Sequence, residues 1–185
     1  MIAGLVLAAG EGARFGGPKQ LAELDGRPLL EHSLAAVSGL ERVVVVLGAH
    51  ADEVRSKVDF GRAEPIVCED WREGQAASLR AGVASLGEVD AVVVTLGDQP
   101  RITPEVIVLA LGRFDGQRPV RTTYGGAPGH PVVLPGWMIP EVMKLEGDRG
   151  ARLLLEEAGA LEVEAGHLAS AADVDTPDDL EVLRR

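Results

Sequence analysis

The chain has 185 residues, enough to bury a real core, and its 46% hydrophobic and 25% charged residues exclude a disordered protein. Aromatics at 3% leave that core to Val, Leu, Ile and Ala, the composition of parallel sheets flanked by helices. The net charge of −11 argues against nucleic acid as a partner, because phosphate neutralisation needs clustered Lys and Arg. A small phosphorylated ligand stays open, since a metal ion can mediate that contact.

Cys68 is the lone cysteine, which rules out an internal disulfide and a cysteine-based zinc site and reads as a small buried hydrophobe. The apolar opening, residues 1–7, lacks a basic leader and runs into glycines and charges, so it reads as a strand rather than a signal peptide. No apolar run approaches the roughly 20 residues of a membrane span. The expectation is one cytoplasmic domain, residues 1–185, with no membrane contact.

In chain order, residues 2–7, 42–47, 65–68 and 91–96 are short Val-, Ile- and Leu-rich runs that predict buried strands. Between them, Leu29, Leu30, Leu34 and Val37 recur at helical spacing, with Pro28 suited to the first turn and Gly39 to the end. Residues 77–86 and 104–111 are also helical, the latter opened by Thr103 as N-cap and Pro104 behind it. Such alternation predicts an α/β fold: a doubly wound, mostly parallel sheet with helices on both faces.

The order changes in the C-terminal half. Residues 119–124 and 130–134 predict an antiparallel pair joined by a turn over 125–129, a small antiparallel addition to the sheet. Helices are expected over 139–145 and 151–158, a strand over 161–164, and a last helix opened by Thr176-Pro177-Asp178-Asp179.

The first strand leads into Leu7-Ala8-Ala9-Gly10-Glu11-Gly12-Ala13-Arg14-Phe15-Gly16-Gly17-Pro18-Lys19. Glycines let backbone amides approach phosphate oxygens, Arg14 and Lys19 add positive charge, and ligands of open α/β sheets bind at this end of the strands. A dinucleotide fingerprint would need glycine at Phe15, and a Walker loop would need lysine at Pro18. Neither fits. The pattern Leu7-Ala8-Ala9-Gly10-x-Gly12-x-Arg14-Phe15-Gly16-x-x-Lys19 resembles instead the signature loop of the molybdenum cofactor nucleotidyltransferases. More widely, it resembles nucleoside-triphosphate transferases that include sugar-phosphate and isoprenoid cytidylyltransferases. Relatives commonly carry Ser at Gly12 and Met at Phe15.

Later segments follow in the order of that family. Asp98, in Gly97-Asp98-Gln99-Pro100, reads equally as a turn aspartate or as a Mg²⁺ ligand at a strand end; the resemblance favours the metal. The acids around Thr176 explain themselves as helix capping, yet the resemblance implies Asp175 as a second metal ligand. Residues 71–80, with Gly74 and Ser78, read as a capped helix and resemble the base- and ribose-contacting segment. Gly129-His130-Pro131-Val132 and Gly147-Asp148-Arg149-Gly150-Ala151-Arg152 resemble the pterin-phosphate side. His32, His50 and His167 show no ligand spacing.

The resemblance implies transfer of CMP from CTP to the terminal phosphate of molybdopterin cofactor, releasing pyrophosphate. Ala8, Ala9, Gly10, Gly12, Arg14, Gly16, Lys19, Gly74 and Ser78 would contact the nucleotide. Asp98 and Asp175 would hold Mg²⁺. Arg14, Lys19 and Asp98 would carry the catalysis, and His130, Arg149 and Arg152 would hold the acceptor. Ala8-Ala9-Gly10 matches cytidylyl-transferring members, where guanylyl-transferring relatives have Ala-Gly-Gly, so CTP stands first and GTP second. The alternatives are a sugar-phosphate or methylerythritol-phosphate cytidylyltransferase and a non-catalytic cofactor carrier. Transient contact with a molybdoenzyme fits either.

Overall fold

Alternation within the first strand sets the layering of the molecule. In β1 (Ile2–Ala8), Ala3, Leu5 and Leu7 pack to one side of the sheet and Val6 and Ala8 to the other. The computed structural model describes residues 1–149 and 151–185, with the side chain of Arg149 outside the described residues.

From β1 the chain passes through a two-stranded hairpin, β2 (Glu23–Leu24) and β3 (Arg27–Pro28), into α1 (Leu29–Val37). It then runs through β4 (Arg42–Leu47), α2 (Ala51–Lys57), β5 (Glu64–Val67), α3 (Gln75–Leu86), β6 (Ala91–Leu96) and α4 (Pro104–Arg113). The C-terminal half holds β7 (Val120–Tyr124), β8 (Ala127–Pro135), α5 (Ile139–Val142), α6 (Arg152–Glu157), β9 (Leu161–Glu164) and α7 (Pro177–Leu183).

The seven-stranded sheet has the order β5-β4-β1-β6-β8-β7-β9. β5, β4, β1 and β6 are parallel, β8 runs antiparallel to β6 and β7, and β9 is parallel to β7. Helices α1, α2 and α4 bury Leu30, Leu34, Val37, Val54 and Val106 on one face; α3, α5 and α6 bury Leu79, Val83, Val142 and Leu155 on the other. The expected doubly wound sheet with its antiparallel addition is therefore present. From β1 the path moves outward to β4 and β5, then α3 returns it to β6 on the other flank, so the winding reverses between β1 and β6. Crevices for ligands form at such a reversal, at the carboxyl ends of the strands.

Several elements differ from the sequence reading. Pro28 ends β3 and precedes α1 instead of lying in its first turn. The turn expected over 125–129 is only Gly125-Gly126, both at positive φ (60° and 80°), as a two-residue hairpin requires. The helix expected over 139–145 is one short turn, Ile139–Val142, in which only Val142 is buried. Helix α2 and the β2–β3 hairpin were invisible to periodicity: α2 buries Val54 alone, and the hairpin strands are two residues each. That hairpin nonetheless builds a third cluster, in which Leu24 and Leu29 pack against Val174 and Leu180. Thr103 caps α4 without a side-chain bond, whereas Thr176 and Asp179 form a full capping box on α7.

The hairpin tip is tied to β9 by one carboxylate. Glu164 accepts from the amides of Gly125 (2.9 Å), Gly126 (3.1 Å) and Gly166 (2.9 Å) and from Thr123 Oγ1 (3.0 Å). These backbone amides hold its carboxyl down from the ordinary 4.5 to about 2. A carboxyl depressed by folding stabilises above its unfolded pKa and loses that contribution as pH falls through the folded value. Thermal unfolding at stepped pH should show wild type losing stability between about pH 4.5 and 2 relative to Glu164→Gln, with the variant already less stable at pH 7. Parallel curves for the two proteins would refute the clamp.

Candidate active site

The glycine-rich segment after β1 is a compact turn built on one carbonyl. Gly12 O accepts from the amides of Phe15 (2.9 Å), Gly16 (2.9 Å) and Gly17 (3.3 Å). Gly12 has φ of 69°, and a Cβ there would run into the Gly17 carbonyl oxygen, so the position admits only glycine without rearrangement. Gly16 also lies at positive φ, 88°. Behind the turn, Gln20 is only 3% exposed and its amide nitrogen donates to Ala8 O (2.7 Å) and Gly10 O (3.1 Å), fixing the start of the loop.

Lys19, which ends the loop, joins three distant parts of the chain. Its ammonium lies 2.6 Å from Asp98 Oδ2 at the end of β6 and 2.8 Å from Asp175 Oδ1 just before α7. Its side chain is 13% exposed. Burial works against the charge, but the two carboxylates outweigh it and raise the Lys19 pKa. Lys19 in turn lowers that of Asp175, helped by Arg14, whose Nη2 is 3.0 Å from Asp175 Oδ2. Arg14 itself is 74% exposed. Nearby Asp173 is raised, first by burial and then by Asp98.

A cavity of about 370 Å³ opens at the reversal between β1 and β6. Ala8, Ala9, Gly10, Lys19, Gly74 and Ser78 line it with Asp98, as does buried Gln20. Gly12 and Gly16 shape the loop from behind, and Arg14 and Asp175 stand outside the lining. Gly74 has φ of 108°, and a Cβ would meet Asp148 and Gly147, so the start of α3 and the Gly147–Arg149 turn close together here. Gly97 and Gly48 are similarly crowded by Ala8 and Ala9.

A second cavity, of about 450 Å³, shares Gln75 and Leu96 with the first and is lined by His130 and Arg152. Two of the three residues expected on the acceptor side thus stand together, while the Arg149 side chain lies outside the described residues. Tyr124 Oη donates to His130 O at 2.7 Å and Thr122 Oγ1 to Pro131 O at 2.9 Å, which pins this segment. A third cavity, of about 410 Å³ between α1 and residues 59–63, touches none of these residues.

The chain belongs to the MobA-like NTP transferase domain family. The family model matches residues 4–163. Nicotine blue oxidoreductase of Paenarthrobacter nicotinovorans is 32% identical, the match covering 97% of this chain and 94% of that protein. Purine catabolism protein PucB of Bacillus subtilis is 31% identical over 98% of this chain and 95% of its own length. Among solved structures, Rv0371c of Mycobacterium tuberculosis superposes with a TM-score of 0.88 at 29% identity, covering 99% of this chain and 97% of that one. The same protein has been crystallised as a complex with manganese, so a relative of this chain binds a divalent metal.

Sequence reasoning passed over Gln20, Gln99 and Asp173 as site residues, although Gln99 sits inside the Gly97-Asp98-Gln99-Pro100 motif. Arg121 had no signal at all, being one charge in a strand of Val and Thr. Gly12→Ala should cost roughly 1–2 kcal/mol of stability from the left-handed backbone alone, and should weaken binding of a nucleoside triphosphate. Denaturant unfolding and calorimetric titration check both; a variant equal to wild type in each would contradict the turn's role.

Proposed function

We propose that the protein transfers CMP from CTP to the terminal phosphate of a molybdopterin-type acceptor and releases pyrophosphate. One observation carries the reading: Lys19 sits between Asp98 and Asp175 at the winding reversal, between the glycine loop and the strand end that flank the first cavity. Lys19 and Arg14 are the cations available to the triphosphate and to the departing pyrophosphate. Ala8, Ala9, Gly10, Gly74 and Ser78 form the walls for base and ribose, and Gly12 and Gly16 set the loop's shape. His130, Arg152 and Arg149 take the acceptor.

The residues present suit a divalent ion of the Mg²⁺ type. Asp98 Oδ1 is buried with no partner, an acceptor that a hard cation would satisfy. Among the described residues no group of three or more His, Cys, Asp or Glu converges on a metal position. Mg²⁺ takes one or two carboxylates and completes its shell with waters and substrate phosphates. Asp98 and Asp175 would hold it, and when bound it neutralises charge on the triphosphate. With such an ion held by Asp98 and Asp175, the Lys19 ammonium would be available to the phosphate oxygens.

The acceptor phosphate and the α-phosphorus need positioning rather than a protein nucleophile, and adjoining cavities that share Gln75 and Leu96 suit that task. The Ala9 methyl packs toward Gly48, so the preference for CTP over GTP rests on the Ala8-Ala9-Gly10 resemblance. Among the described residues no helix is long and apolar enough to cross a membrane. A cytoplasmic enzyme, in passing contact with a molybdoenzyme, fits this reading. The relative named an oxidoreductase supplies a second one, a redox reaction that releases no pyrophosphate.

Pyrophosphate release is to be measured with Mg²⁺, molybdopterin cofactor and each of CTP, GTP and ATP, with NADH and NADPH consumption followed in parallel. The expected result is release with CTP above GTP and ATP. Asp98→Ala should still fold, with some loss of thermal stability from the broken Lys19 ion pair, and lose at least about 100-fold in turnover, in line with the several kcal/mol that metal assistance supplies. Wild-type turnover in folded Asp98→Ala sinks the metal assignment, and cofactor oxidation without pyrophosphate replaces the transfer reading.

A further inference from the structure

Four successive carbonyls at the start of the glycine-rich loop are all held. Buried Gln20 takes Ala8 O and Gly10 O. The corner between β4 and α2 takes the other two: Ala49 N donates to Ala9 O at 3.1 Å, and His50 Nε2 lies 3.2 Å from Glu11 O. A carbonyl only accepts, so Nε2 carries the hydrogen and the imidazole is the donor.

His50 stands in a backbone conformation that does not favour it. Its φ of 61° and ψ of 20° are left-handed, at the turn where Ala51 N donates back to Gly48 O and the chain passes from β4 into α2. Glycine would meet that turn without the Cβ penalty that histidine bears. The ring therefore brings something glycine lacks, and its partner among the described residues is Glu11 O.

That bond fixes the plane of the Glu11–Gly12 peptide. Rotating the plane trades ψ of Glu11 against φ of Gly12, and glycine takes either sign of φ at little cost. The residue that lets the loop turn back thus also lets this peptide flip. Glu11 lines both the first cavity and an outer depression shared with His50, while His50 does not line the first cavity. In a trans peptide C=O and N–H point opposite ways, so holding Glu11 O on the His50 side turns Gly12 N–H away from it. A flipped plane would instead present the carbonyl oxygen, whose partial negative charge opposes an anion.

We infer that His50 is a positioning residue of the loop, whose ring holds Glu11 O out of the first cavity and keeps the Glu11–Gly12 peptide set for a triphosphate. The inference rests on the nucleotide reading for the ligand alone; the tie between His50 and Glu11 is independent of any reaction.

His50→Gly removes the ring, and His50→Gln restores a donor of similar reach. Hydrogen exchange of residues 10–17 without ligand reads the tie, and calorimetric titration with MgCTP reads its consequence. His50→Gly is expected to keep a wild-type unfolding temperature, because glycine suits this φ and offsets the loss of an exposed hydrogen bond. It should nonetheless exchange faster across the loop and bind MgCTP about fivefold more weakly, the equivalent of one such bond. His50→Gln should stay within about twofold of wild type in both readouts. A residue that only supports the fold would do the reverse, lowering the unfolding temperature and leaving the affinity alone.

Wild-type loop exchange in His50→Gly, or unchanged MgCTP affinity in that variant, overturns the inference, as does a loss of equal size in His50→Gln. Wild type that binds none of CTP, GTP and ATP, with loop exchange still dependent on His50, supports the tie and removes the nucleotide reading.

Discussion

The ammonium of Lys19 is the contact on which the site depends. It gathers the carboxylates of Asp98 and Asp175, 79 and 156 residues further along the chain, into one cluster. Without a cation between them, two acids at this separation would repel and open the seam between the β6 end and the segment before α7. The surrounding design protects that seam. Gln20 fixes the loop's first carbonyls, the Gly12 carbonyl folds the loop back, and Val174 N donates to Asp98 O at 3.0 Å beside the acids. The β2–β3 hairpin and α7 seal it from outside through Leu24, Leu29, Val174 and Leu180.

The two cavities meet at Gln75 and Leu96. The first is lined by the loop, the glycines and Lys19, and offers backbone and cation to an anion. The second is lined by Leu96, Val132 and Leu155 together with Gln99, Arg121, His130 and Arg152. Asp98 and Gln99 are neighbours in one turn, so the end of β6 serves both. A chain of net charge −11 can recognise phosphate here because its cations are concentrated locally, and because a divalent ion suits the carboxylates beside them.

Much of this architecture was legible in the sequence because it rests on strong local signals. The apolar runs of β1, β4 and β6 bury both faces, and the glycines after β1 have no purpose in a plain turn. Helix α2 was illegible because Val54 is its single buried residue, and the β2–β3 hairpin because two-residue strands have no period. The site divided in the same way. Lys19 and Asp98 stand in motifs, and Asp175, beside a capping box that explains its neighbours, was legible only through the family resemblance. Gln20, Gln99 and Arg121 acquire meaning only from burial and from the partners of their hydrogen bonds, and neither property is written in spacing.

The central claim is that Lys19 occupies the cationic position that a divalent ion would take between Asp98 and Asp175. Titration of Mn²⁺ by electron paramagnetic resonance, without nucleotide, tests it directly on wild type and Lys19→Met. Removing a competing unit charge about 4 Å from a divalent ion changes the interaction by about 2–8 kcal/mol at effective dielectrics between water and the protein surface. The account therefore predicts Mn²⁺ binding roughly tenfold tighter, or better, in Lys19→Met than in wild type. Equal or weaker binding in a folded variant would contradict it, and would make Lys19 a structural tie instead of a stand-in for the metal.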